Sequence, residues 1–124
     1  MKKKKIIDGV IFHRHLNGNG LVAETATVAK NAYIGSKAIV YGYARVTGNV
    51  RVTGNAKIFG NAKITGNVRV TGDAKISGNA KISGNAKILG SEVTGNAKIS
   101  GDSVVYVGIK ISGDLVLKET REDL

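Results

Sequence analysis

The chain contains no cysteine, no proline, no tryptophan and a single methionine in 124 residues, and its aromatic residues are limited to four tyrosines and two phenylalanines. Without cysteine there is no disulfide framework, and a cytoplasmic address is expected. No apolar run is long enough to span a membrane, so no membrane insertion is expected. The start, Met-Lys-Lys-Lys-Lys-Ile-Ile-Asp, does not read as a secretory signal, because its apolar run breaks at Asp8 and His13, Arg14 and His15 follow. Acidic residues are scarce: 9 against 19 lysines and arginines, a formal net charge of +10. That excess attracts polyanions such as nucleic acid or phosphorylated ligands. It also keeps a repetitive sheet soluble and opposes sideways association.

What the chain has is a period of six. From Ala44 to Ser100 it repeats Val-Thr-Gly-Asn-Val-Arg, Val-Thr-Gly-Asn-Ala-Lys, Ile-Phe-Gly-Asn-Ala-Lys and close variants. A large aliphatic residue recurs at Val46, Val52, Ile58, Ile64, Val70, Ile76, Ile82 and Ile88, with a small or modest one two positions earlier and a base between. Ala-Lys-Ile alternates in, out, in, the two-residue period of a short β-strand. Ser/Thr-Gly-Asn follows, and Gly and Asn tolerate the positive φ of a corner. One hexad cannot bury its own apolar face, whereas stacked hexads bury a continuous one.

The pattern aliphatic-x-Gly-Asn-Ala-x resembles the hexapeptide repeat of left-handed parallel β-helices, across about Leu16 to Leu117. The Gly-Asn-Ala-Lys copies look like those of short hexapeptide proteins of bacteria and phages. The resemblance implies an all-β, single-stranded left-handed solenoid with three hexads per triangular coil of eighteen residues. It also implies self-association, with a homotrimer favoured. Seventeen or so hexads make about 5–6 coils, and at ~4.8 Å per coil a prism of roughly 26 Å. Such a prism needs only a narrow axial core, which Ala-rich inner positions fill.

Along the chain, residues 1–15 are expected to form an N-terminal cap, 16–117 the repeat, and 118–124 a charged tail or cap. Counting back by sixes places Val40, Ile34, Val28, Val22 and Leu16 in the aliphatic slot. Outward slots of this first third carry Leu21, Thr27, Tyr33 and Ile39, an exterior that needs a cover. After Ile88 the next aliphatic, Val93, comes five residues on, so the corner Leu89-Gly90-Ser91 lacks one residue. A tightened turn with the strands still in register is expected. Ile109 and Leu115 replace Ala and suggest a wider last coil.

Residues eighteen apart stack. One face then carries Arg45, Lys63, Lys81 and Lys98; a second Arg51, Arg69 and Lys87, with Tyr33 above and Val104 below; the third Lys57, Lys75, Glu92 and Lys110. The first two ladders are the candidate polyanion-binding residues. Like charges about 5–6 Å apart in water repel by under about 1 kcal/mol, so such ladders stand without a ligand. Asparagine ladders (Asn49, Asn67, Asn85 and Asn61, Asn79, Asn96) line the corners. Tyr41 lies over Phe59, and Leu21, Tyr33, Ile39, Tyr41 and Phe59 form the candidate oligomer contact.

Little in the chain suggests catalysis. His13 and His15 are the only ordinary neutral-pH bases. In hexapeptide acyltransferases, which the resemblance brings in, a junction histidine activates the acceptor, but here both histidines precede the repeat. Two histidines are an incomplete metal set, and no Cys-His, Ser-His-Asp or Walker-type arrangement occurs. No cofactor, metal or catalytic residue is expected. The leading expectation is a non-enzymatic structural or interaction module, phage-like or carried on a mobile element. The alternatives are a basic binder of nucleic acid or phosphorylated small molecules and, last, an acyltransferase.

Overall fold

The computed structural model describes residues 4–118. Among them there is no helix: short parallel strands stack in coils of about eighteen residues, giving a β-solenoid of about five turns with three sheets. Sheet I stacks Leu21–Ala23, Ile39–Val40, Lys57–Ile58, Lys75–Ile76, Glu92–Val93 and Lys110–Ile111. Sheet II stacks Thr27–Val28, Arg45–Val46, Lys63–Ile64, Lys81–Ile82, Lys98–Ile99 and Val116–Leu117. Sheet III stacks Tyr33–Ile34, Arg51–Val52, Arg69–Thr71, Lys87–Leu89 and Val104–Val105.

The alternation read from one hexad accounts for this triangle. Ala62 and Ile64 are fully buried and Lys63 between them is exposed, and the same holds at Ala80-Lys81-Ile82. The core is one column of Ala, Val and Ile from Val22 to Ile111. Backbone bonds run coil to coil, as Lys63 N–H donating to Ala80 O at 2.9 Å and Asn67 N–H to Gly84 O at 2.8 Å. At the corner between them Gly66 has φ +82°, and a Cβ there would lie 2.8 Å from Gly84 O, so both the backbone angle and the neighbouring coil demand glycine.

The short corner behaves as its spacing predicts. Thr71 pairs with Leu89, and after the missing residue Lys75 pairs with Glu92 and Ile76 with Val93. Ser91 takes the small inner slot and is 1% exposed.

The N-terminal cap is a hairpin and a loop. Strands β1 (Lys4–Ile7) and β2 (Val10–Arg14) pair antiparallel, joined by Asp8 (φ 51°) and Gly9 (φ 79°), the two-residue Asp-Gly turn whose positive φ values match strand twist. β2 continues sheet I by pairing antiparallel with Leu21–Ala23, Phe12 opposite Ala23. The following loop crosses the open end of the core. Ile34 N–H donates to Asn17 O at 3.0 Å and Gly20 N–H to Ile34 O at 2.8 Å, which covers the first edge of sheet III.

Two expectations change at the solenoid ends. Leu16 does not fill an inner slot: it is 69% exposed, and the neighbouring His15 is buried, its Nε2 2.8 Å from Ala32 O. A carbonyl only accepts, so Nε2 carries the proton and the ring tops the core while satisfying a backbone group. Ile109 and Leu115, read as inner residues of a wider last coil, are 48% and 49% exposed. The final described coil has no following strands in any of the three sheets to cover them. Met1, Lys2, Lys3 and residues 119–124 of the expected cap and tail lie outside the described residues.

Candidate functional site

Two surface features stand out, and both follow from which residue type occupies the outward slot of successive hexads. On sheet III the outward residues are Tyr33, Arg51, Arg69, Lys87 and Val104, paired in that order. Two residues before each comes the preceding corner, with Asn31, Asn49, Asn67, Asn85 and Asp102. Side chains two apart on an extended backbone share a face, so the two columns run side by side. They frame a shallow groove of about 750 Å³, lined by the four asparagines, Asn17, Tyr33, Arg51, Arg69 and Lys87. Arg51 Cζ lies 5.2 Å from the centroid of the Tyr33 ring, a cation–π contact. The asparagines are linked: Asn31 donates to Asn49 at 2.9 Å, Asn67 to Asn85 at 3.3 Å and Asn85 to Asp102 at 3.3 Å. No carboxylate lies within ion-pair distance of Arg51, Arg69 or Lys87 among the described residues, where Lys4–Glu24 is the ion pair found.

Arg45, Lys63, Lys81 and Lys98 form an equally regular exposed ladder on sheet II. The seven candidate polyanion-binding residues are therefore split between two faces of the prism. Only Arg51, Arg69 and Lys87 share the groove beside Tyr33. On sheet I, Glu92 interrupts Lys57, Lys75 and Lys110.

The second feature is apolar. Leu21 and Ile39 are paired, half-buried neighbours on the outer side of sheet I. At the next corner Tyr41 stacks on Phe59, ring centroids 4.8 Å apart and planes 8° from parallel. The hairpin overhangs this region. Ile7, Val10, Phe12, Ile39, Tyr41 and Tyr43 line a groove of about 490 Å³, and Asp8, Thr25, Gly42 and Lys57 complete its lining. Burial pushes the Tyr41 hydroxyl above its ordinary pKa of 10.0. Of the expected contact residues, Leu21, Ile39, Tyr41 and Phe59 gather here, whereas Tyr33 sits across the prism in the basic groove. Val10, Phe12 and Tyr43 belong to the same apolar groove. The alternation Val10-x-Phe12 on one side of a strand is the sequence signal for the first two, and nothing local marks Tyr43.

His13 lies in β2, half-buried, opposite Lys4 and Val22, and His15 is committed to the core cap. Among the described residues no group of three or more His, Cys, Asp or Glu comes together, and no helix is long and apolar enough to cross a membrane. Compared with known proteins, the chain matches no family model, no curated protein and no solved structure.

Proposed function

We propose that the protein is a non-enzymatic, self-associating scaffold of the hexapeptide-repeat left-handed β-helix type, whose copies meet through the hairpin side of sheet I. The observation that carries this reading is the groove of Ile7, Val10, Phe12, Ile39, Tyr41 and Tyr43 on a prism whose other outward slots are mostly cations and amides. Tyr43 is 69% exposed and Val10 37%, large apolar surfaces that a charged exterior leaves without cover. A second copy of this chain suits the groove because its lining holds one charge of each sign, Asp8 and Lys57. Asp8 of one copy can therefore meet Lys57 of the next, while the +10 charge repels approach elsewhere. A closed ring of three copies is the assembly that the repeat resemblance favours.

The test is the mass of the assembled protein in native buffer. Unmodified chain is expected at an integral multiple of 13.0 kDa, threefold in the favoured case. The double variant Val10→Glu/Tyr43→Glu is expected at the monomer mass with an unchanged circular dichroism spectrum, since both residues are partly solvent-facing. A monomer for the unmodified chain at every concentration, or an undiminished oligomer for the variant, would overturn the reading.

A further inference from the structure

Both basic ladders run beside an amide column that ends in a carboxylate, Asn79-Asn96-Asp114 on sheet II and Asn67-Asn85-Asp102 on sheet III. On sheet III the column and the cations also frame a groove, with Tyr33 against Arg51 at its end. Asp102 at the bottom of the sheet III column can only accept, so Asn85 must turn its amide N–H toward it and its carbonyl toward Asn67. Asn67 must then donate to Asn85, so this run takes its polarity from its acidic end, and Asn31 donating to Asn49 runs the same way. Each amide nitrogen has a second N–H that this chain of bonds does not use. Beside the column stand two guanidiniums and one ammonium, groups with donors and no acceptors. From Asn67 to Tyr33 the wall of the groove is thus rich in donors, positively charged and without a neighbouring carboxylate. Such a surface selects anions, and guanidinium forks match phosphate oxygens two at a time.

The shape narrows the class. The cations form a single straight column, one per coil at ~4.8 Å. A duplex presents two phosphate rows across a groove ~12 Å wide, with fixed spacing. A single strand presents one row and adjusts its spacing to the protein. At the N-terminal end of the column the Tyr33 ring and the Arg51 guanidinium add π surfaces of the kind on which bases stack. We propose that this groove binds the backbone of single-stranded nucleic acid, laid parallel to the solenoid axis, with Arg51 and Arg69 holding phosphates and Tyr33 taking a base. The site lies on a different sheet from the proposed copy-to-copy contact and does not depend on it.

Anisotropy of a fluorescein-labelled oligothymidine of about ten nucleotides, titrated with the full chain at several salt concentrations, tests the proposal. Arg51→Gln/Arg69→Gln is expected to weaken binding about tenfold and to reduce the slope of log K against log salt by about 1.4, two contacts at ~0.7 each. Lys63→Gln/Lys81→Gln removes the same charge from sheet II and is expected to weaken binding less than about threefold. Tyr33→Leu is expected to weaken it several-fold with the salt slope unchanged. Equal losses for the two double variants would overturn the site, since net charge alone would then be at work. Tighter binding of a duplex, or of linear polyphosphate, than of the oligothymidine would overturn the assignment to single strands. Absence of binding at low salt would overturn the proposal outright.

Discussion

The Tyr41 and Phe59 rings lie face to face 4.8 Å apart, one coil above the other, outside the core. Burial holds the Tyr41 phenol neutral above its ordinary pKa of 10.0. In the unfolded chain the same phenol ionises at about 10. Between the ordinary and the raised value the folded form therefore binds more protons than the unfolded one, so stability falls as pH rises through that window and is unaffected below it. Thermal melts of the unmodified chain and Tyr41→Phe across that range are expected to show a shallower alkaline loss for the variant. Parallel curves would show that the phenol does not sense its burial.

Ser91 and Ser103 both replace the inner alanine, with opposite outcomes. Ser103 Oγ donates to Ser100 O at 2.7 Å. Ser91 Oγ, fully buried, has no hydrogen-bond partner among the described residues. Ser91→Ala removes an unsatisfied hydroxyl from the core and is expected to stabilise by about 1 kcal/mol. Ser103→Ala is expected to destabilise by about 1 kcal/mol. Urea unfolding of both variants reads the sign directly.

Gly66 and Gly113 share positive φ, +82° and +65°, but not surroundings. An alanine Cβ would meet Gly84 O at 2.8 Å in the first case and nothing within 4 Å in the second. Gly113→Ala is expected to cost about 1–2 kcal/mol, the left-handed conformation alone. Gly66→Ala adds a clash with the backbone of the next coil and is expected to cost clearly more. Equal midpoints in denaturant would mean that the coils spread freely at their corners.

The solenoid was legible because its cause is local and repeated: each hexad carries its own strand, inner pair and corner, and eighteen-residue stacking puts Lys63 beside Lys81 without further information. The amide column Asn67-Asn85-Asp102 followed from the same arithmetic. Repetition says nothing about its ends. Leu16 fits the period but faces solvent, because the chain has not yet entered the first coil and lays His15 over the core instead. Ile109 and Leu115 fit the inner slot but have no following coil over them among the described residues. The two surface features were half visible. A ladder of bases can be counted, but the groove beside it depends on the neighbouring corner, and the apolar groove depends on where a hairpin outside the period folds back.

The short corner at Leu89–Gly90 also bears on how the chain finds its own alignment. Nearly identical coils invite a strand to pair one coil too early or too late at little energetic difference, since Lys-Ile meets Lys-Ile either way. The native coil seats this two-residue corner between the three-residue corners 71–73 and 106–108 with the strands in register. A slip by one hexad would carry the short corner, which has no Asn or Asp, into one of the amide columns and interrupt bonds such as that from Asn67 to Asn85. The irregular corner thus acts as a registration mark in an otherwise interchangeable series, and it penalises mispaired alignments that the uniform coils above it could not distinguish from the correct one.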